Sequence, residues 1–267
     1  MLIISADDQT TWPKELLQIL ARYETDIRSY HRERAAIDRA AEEDVMLRVN
    51  RPANPYGPGW NHALEVANET VQGQLLLGYH ASRLTEDEVA TIQASGLEVL
   101  SVDLLNRRLT ALRNAGNLSE ELFTSLSSRH QAADDNRAGK VWFVFSAVTL
   151  QDESGMERFF RSWGGEALYN SHETRRATGS ALRAPGRPAI VQAAVPCDGL
   201  QCFMDVGTRL VNVWCASKGI STGHRPEFEG YVSANIPPSG ILRVDAMGSQ
   251  TFESLAAHQN WRKPLTR

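Results

Sequence analysis

Apolar positions along the chain fall into two patterns: three-to-four-residue spacing early, and short dense runs from the middle onward. Leu16, Leu17, Ile19, Leu20 and Tyr23 lie on one face of a helix predicted from Pro13 to about Val45, whose Arg/Glu-rich part after Arg28 reads as a solvated surface. Arg51-Pro-Ala-Asn-Pro-Tyr-Gly-Pro-Gly59 ends that helix, and a second is expected from about Asn61 to Thr70. Leu75-Leu-Leu-Gly-Tyr-His-Ala-Ser82 is the first strand. It runs into a strong helix start, because Thr85 and Glu88 have capping-box spacing and Leu84 with Val89 forms a hydrophobic staple; Gly96 is placed to stop this helix.

Further helices are predicted around Asp103–Ala115 and Ser119–His130. Val141-Trp-Phe-Val-Phe145 is uninterrupted apolar chain, so a central strand buried on both faces is expected. A helix over about Gly155–Trp163 should stop at Gly164-Gly165. Strands are then predicted at Ile190–Val195, Arg209–Trp214, Tyr231–Asn235 and Ile241–Val244. Helices early and strands late give an α+β class with a helical N-terminal segment, residues 1–72, followed by a domain over 73–267.

Composition narrows the function more than the fold. Among 267 residues, 42% are hydrophobic and the net charge is −4, so a sizeable core is available and stable duplex binding by phosphate neutralisation is disfavoured. A brief catalytic encounter with nucleic acid remains compatible. Cys197, Cys202 and Cys215 imply no disulfide framework, and their spacing does not suit zinc, so no metal is expected. The N-terminus has no basic region before its apolar residues, and no run reaches the roughly 18 apolar residues of a membrane helix. A cytoplasmic protein with no membrane partner is the expectation.

Two segments carry candidate chemistry. Strand alternation puts His80 and Ser82 on one face, immediately before the capped helix. A single strand histidine is more often a satisfied core residue; its pairing with Ser82 at this junction favours ligand binding. In Pro226-Glu-Phe-Glu-Gly-Tyr-Val232, Glu227 and Glu229 point the same way in extended chain, and burying them would require partners. Alone, such a pair is commonly a solvated loop.

In order, Tyr79-His80-Ala81-Ser82, Gly139-Lys-Val-Trp-Phe143 and Glu227-Phe-Glu229 resemble the three motifs of the ADP-ribosyltransferase superfamily, nearer its His-Tyr-Glu branch. The resemblance covers about half the chain, from roughly Leu75 onward. It implies a mixed or antiparallel split sheet with helices, and NAD as substrate. It also implies that His80 and Ser82 hold the adenosine ribose, that an aromatic at Trp142 or Phe143 stacks on nicotinamide, and that Glu229 is catalytic. Glu227 would engage the acceptor. Tryptophan and phenylalanine stand where that branch has tyrosine, so Tyr169, just after Gly164-Gly165, is a possible replacement. Arg83, Arg108 and Arg137 are candidates for the diphosphate. The activity implied is transfer of ADP-ribose to a protein or nucleic acid, in a toxin or defence effector with a neutralising antitoxin or immunity protein. NAD hydrolysis and a non-catalytic ADP-ribose or nucleic-acid binding module are the alternatives.

Overall fold

The computed structural model describes residues 2–224 and 227–265; Pro226, which opens the glutamate segment, lies outside them. The chain divides into two compact units, Met1–Leu75 with Cys202–Pro226, and Leu76–Gln201 with Glu227–Arg267. The N-terminal helical segment therefore folds with a later piece of chain.

In the first unit, β1 (Ile3–Ile4) precedes α1 (Lys14–Arg22), α2 (Glu24–Glu43), α3 (Val45–Val49), α4 (Gly57–Thr70) and the later α12 (Val206–Ser217). The helix expected from Pro13 to Val45 is divided at Tyr23, whose N–H still reaches Ile19 O, and at Asp44, whose carboxylate caps Met46 N–H. Helix α4 starts earlier than expected because Pro58 is tolerated in a first turn.

A strand was expected at Arg209–Trp214; α12 takes its place. Val206, Gly207, Leu210, Val211, Trp214 and Cys215 are the buried positions, which is the spacing of a helix. Gly207 lies so close to α4 that a Cβ there would come within 2.5 Å of Ala67 C. Close helix packing overrides the β-branched content of this stretch.

The second unit contains β2 (Leu75–Leu84), α5 (Glu86–Ser95), α6 (Val102–Asn114), α7 (Glu120–Ser128), β3 (Val141–Val144), α8 (Ala147–Gln151) and α9 (Glu153–Arg161). It continues through α10 (Glu166–His172), α11 (Arg176–Ala181), β4 (Arg187–Pro196), β5 (Gln201–Cys202), β6 (Glu229–Val232), β7 (Ile241–Ala246) and α13 (Gln250–Ala256). Apart from β5, which spans the division at Gln201, its strands follow the order β6-β3-β2-β4-β7, and the β2/β3, β3/β6 and β4/β7 pairs are antiparallel. The α+β class holds.

Thr85 Oγ1 accepts from Glu88 N–H while Glu88 accepts from Thr85 N–H, so the capping box that starts α5 forms as expected. Gly164 and Gly165, at φ of 84° and 62°, end the α9 segment and open α10, an element not expected from the sequence.

Clusters of buried side chains among the described residues support the sheet and its helices. Tyr79, Val144 and Ile190 pack with Leu150, Met156, Phe160 and Phe252. Leu105, Leu109, Leu126, Trp163, Leu168 and Tyr169 form a separate helical core. Trp142 corrects the expectation that β3 is buried on both faces: it is 41% exposed, whereas Val141, Phe143 and Val144 are buried.

Candidate active site

The strand order places the three motif segments side by side, with His80 on β2, Trp142 and Phe143 on β3, and Glu229 on β6. Tyr79, Val144 and Glu229 form one row across these strands. Among the described residues, Tyr79–Val144 is the sole register pair between β2 and β3, so beyond it these strands no longer form a continuous ladder.

His80 sits one residue past that point. Its Nδ1 lies 2.9 Å from the carbonyl oxygen of Trp142, and its ring is edge-on to Phe143 at 6.0 Å. Burial pushes the His80 pKa down and the Arg108 charge adds to this, while the bond to Trp142 O opposes them; the net direction is down. The imidazole is therefore neutral near pH 7. Since a carbonyl only accepts, Nδ1 carries the proton and Nε2 is left as an acceptor. An acceptor of this kind suits a donated sugar hydroxyl. Ser82 lies on the same side of β2 and is buried.

Glu229 is the first residue of β6, inside the strand where it was expected just ahead of it, and is exposed. Phe228 fixes this approach. Its ring is buried 5.0 Å from that of Phe145, its carbonyl accepts from Phe145 N–H at 2.8 Å, and its N–H donates to Thr149 Oγ1 at 3.3 Å. Glu227 is partly buried, and its Oε2 has no hydrogen-bond partner.

Pairing of Trp142 with Tyr231 and of Val144 with Glu229 puts Trp142, Tyr231 and Glu229 on one face. The Trp142 and Tyr231 rings lie 4.8 Å apart, and Lys140 Nζ is 4.6 Å from the Tyr231 ring. Tyr231 was not singled out from the sequence, although its position two residues beyond Glu229 was the available signal. By alternation His80 shares the row and face of Phe143, so His80 and Glu229 belong to adjacent rows with opposite parity. In a regular sheet this parity points His80 and Glu229 to opposite faces, and the His80 ring is held against β3 by its bond to Trp142 O.

The other expected ligands divide. Phe143 is buried between His80 and Phe145, which leaves Trp142 as the accessible aromatic of the two. Tyr169 belongs to the helical core: it is 1% exposed, lies under Arg158 at 4.1 Å, and donates its hydroxyl to Glu166. Its ring is consumed by packing and does not replace a stacking aromatic. Arg83 is buried, donating Nε to Pro185 O at 2.8 Å and Nη1 to Phe160 O at 3.4 Å, so its guanidinium is committed to the backbone. Arg137 pairs with Asp134 and Glu166. Arg108 pairs with Glu88 and lies over the Trp163 ring at 4.7 Å, but its buried Nη2 has no partner.

Among the described residues, no three His, Cys, Asp or Glu side chains converge as a metal site, none of the three cysteines is in a disulfide, and no helix is long and apolar enough to cross a membrane. In comparison with known proteins, no family model matches the chain, and no curated protein or solved structure shows significant similarity to it.

Proposed function

We propose that the chain is an NAD-dependent ADP-ribosyltransferase acting on a macromolecular acceptor. The observation that carries this reading is the adjacency of β2, β3 and β6, which brings a neutral, oriented histidine, an exposed tryptophan and an exposed glutamate onto neighbouring strands from three separate segments.

In this reading His80 Nε2 accepts from a hydroxyl of the adenosine ribose, with Ser82 beside it. The Trp142 face stacks on nicotinamide. Arg108, whose Nη2 lacks a partner, is the best placed of the three candidate arginines to meet the diphosphate. Cleavage of the bond between nicotinamide nitrogen and ribose C1′ develops positive charge on the sugar, as in glycoside hydrolysis, and Glu229 stabilises that charge. Nicotinamide leaves with the bonding electron pair. The acceptor nucleophile attacks C1′ and loses its proton to Glu227, the partly buried carboxylate on the same segment.

The test is incubation with NAD labelled in its ADP-ribose part in cell lysate, followed by separate nuclease and protease digestion. Label on a macromolecule supports transfer; free ADP-ribose alone replaces it with hydrolysis; no turnover removes both. Glu229→Gln should lower either activity at least ~100-fold while leaving the fold intact. Near-normal turnover in a folded variant would overturn the assignment of Glu229.

A further inference from the structure

Among the described residues, three of the four most exposed large apolar side chains, Val45, Met46 and Val49, fall within the single short helix α3, at 65%, 66% and 73%. Spacings of three and four put Val49 beside both of the others on one side of that helix. Over residues 42–53 only Leu47 is half-buried, and every other side chain is exposed. The segment is nevertheless fixed in place. Asp44 accepts from Met46 N–H at 2.7 Å, Arg48 donates to Ala41 O and Glu42 O at 3.1 Å each, and Arg51 holds Asp38 of α2 at 2.6 Å. Valine is a poor helix former at a solvated position, so no local preference accounts for Val45 and Val49 here.

Charge is divided along the same strip. Glu42, Glu43 and Asp44 precede the apolar side chains, and Arg48 and Arg51 lie toward its other end. Among the described residues Glu42, Glu43 and Arg48 enter no ion pair, although Arg48 reaches the Glu42 carbonyl. The two ends are thus opposite in sign but not joined within one chain. A two-fold axis through α3 would join them. It runs two copies of the strip antiparallel, so the acids of each copy meet Arg48 of the other, and the six apolar side chains close on one another between them. An anionic lipid surface suits the strip poorly, because three carboxylates border its apolar residues.

We infer that residues 42–53 are a self-association surface, on which α3 packs antiparallel against α3 of a second copy of this chain. Burial of Val45, Met46 and Val49 supplies the attraction, and the reciprocal charge contacts fix the antiparallel direction. A strip this short lies at the small end of specific interfaces, so the dimer is reversible, with a dissociation constant of about 1–50 µM. The surface uses none of His80, Trp142 and Glu229, so it stands or falls separately from the proposed activity.

The test is sedimentation velocity on the full chain from about 1 to 200 µM, where monomer and dimer should exchange. Met46→Asp should weaken self-association at least about tenfold with an unchanged monomer melting temperature, because the side chain it alters is exposed. The double variant Glu42→Lys, Glu43→Lys and the single variant Arg48→Glu should each associate more weakly than the original chain. Mixed in equal amounts, they should recover most of the original affinity, since both reciprocal contacts are then opposite in sign. Arg48 also binds carbonyls at the end of α2, so its variant is checked by its melting temperature; Met46→Asp decides the surface if that variant unfolds. A chain still monomeric at about 200 µM, a dimer that Met46→Asp leaves intact, or a mixture of folded charge variants no tighter than either alone overturns the proposal.

Discussion

Replacing Glu88 with glutamine should destabilise the second unit by about 2–3 kcal/mol at pH 7. One carboxylate here accepts from Thr85 N–H at 2.8 Å, Arg108 Nε at 2.7 Å and Trp163 Nε1 at 2.9 Å, which ties the start of α5 to α6 and to the end of the α9 segment. Glutamine keeps the shape and one acceptor oxygen, so the capping box can persist. The charge opposite Arg108 is lost, and an amide N–H faces existing donors. Breaking a fully buried pair costs about 3–5 kcal/mol, but these side chains are 22% and 17% exposed, and water recovers part of the loss. Burial alone would raise the Glu88 pKa. The Arg108 charge and the bonds from Thr85, Arg108 and Trp163 together outweigh it and hold the carboxyl below its ordinary 4.5. A depressed carboxylate stabilises the fold above its unfolded pKa, and that contribution is lost as pH falls through the folded value. The difference between wild type and Glu88→Gln should therefore be full at pH 7 and shrink below about pH 4.5. Urea denaturation read by hydrogen exchange at α5 and α6 amides isolates this unit. A loss under about 0.5 kcal/mol at pH 7, or additive effects of Glu88→Gln and Arg108→Gln, would refute the reasoning.

Other outcomes follow from single positions. Gly78→Ala should cost about 1–3 kcal/mol in chemical denaturation, with partial recovery in a Val195→Ala background, because the new Cβ would lie 2.8 Å from Val195 Cγ2 and 3.0 Å from the Phe143 and Phe145 rings. A fully tolerated Gly78→Ala would mean these rings are free to retreat. His31 titrates at about 4 instead of 6.5, pushed down by burial and by Arg34 and His224, so its contribution to stability is complete above pH 6.5 and is lost as pH falls toward 4. In His31→Gln the slope of stability against pH should flatten in that window; identical slopes would remove His31 as the cause. Trp142→Ala should change stability by under about 1 kcal/mol yet weaken NAD binding at least about tenfold by calorimetry, since its ring is largely exposed. Unchanged affinity would place nicotinamide elsewhere.

Local chemistry in the chain determined the elements whose signals close within a few residues. Thr85 and Glu88 satisfy each other's backbone donors across three positions, and the resulting helix start needs no distant partner. The apolar runs at Leu75–Leu84 and Val141–Val144 are strands because dense apolar chain must be buried and its backbone paired. His80, Trp142 and Glu229 could be singled out for the same reason: each belongs to a short motif within or beside such a strand. Their relation to one another was settled by pairing. The register Val144–Glu229 puts Glu229 with Trp142 and Tyr231, and the pairing of β2 with β3 brings His80 to the Trp142 carbonyl. Burial likewise removed Tyr169 and Arg83 from the candidate ligands, because a ring or guanidinium of identical local sequence serves as ligand or as packing according to what surrounds it. The same limit applies to Arg209–Trp214, where β-branched residues fit either period. Helix was selected by the contact of Gly207 with the backbone at Ala67–Asn68, about 140 positions away in sequence, a separation beyond the reach of any local propensity.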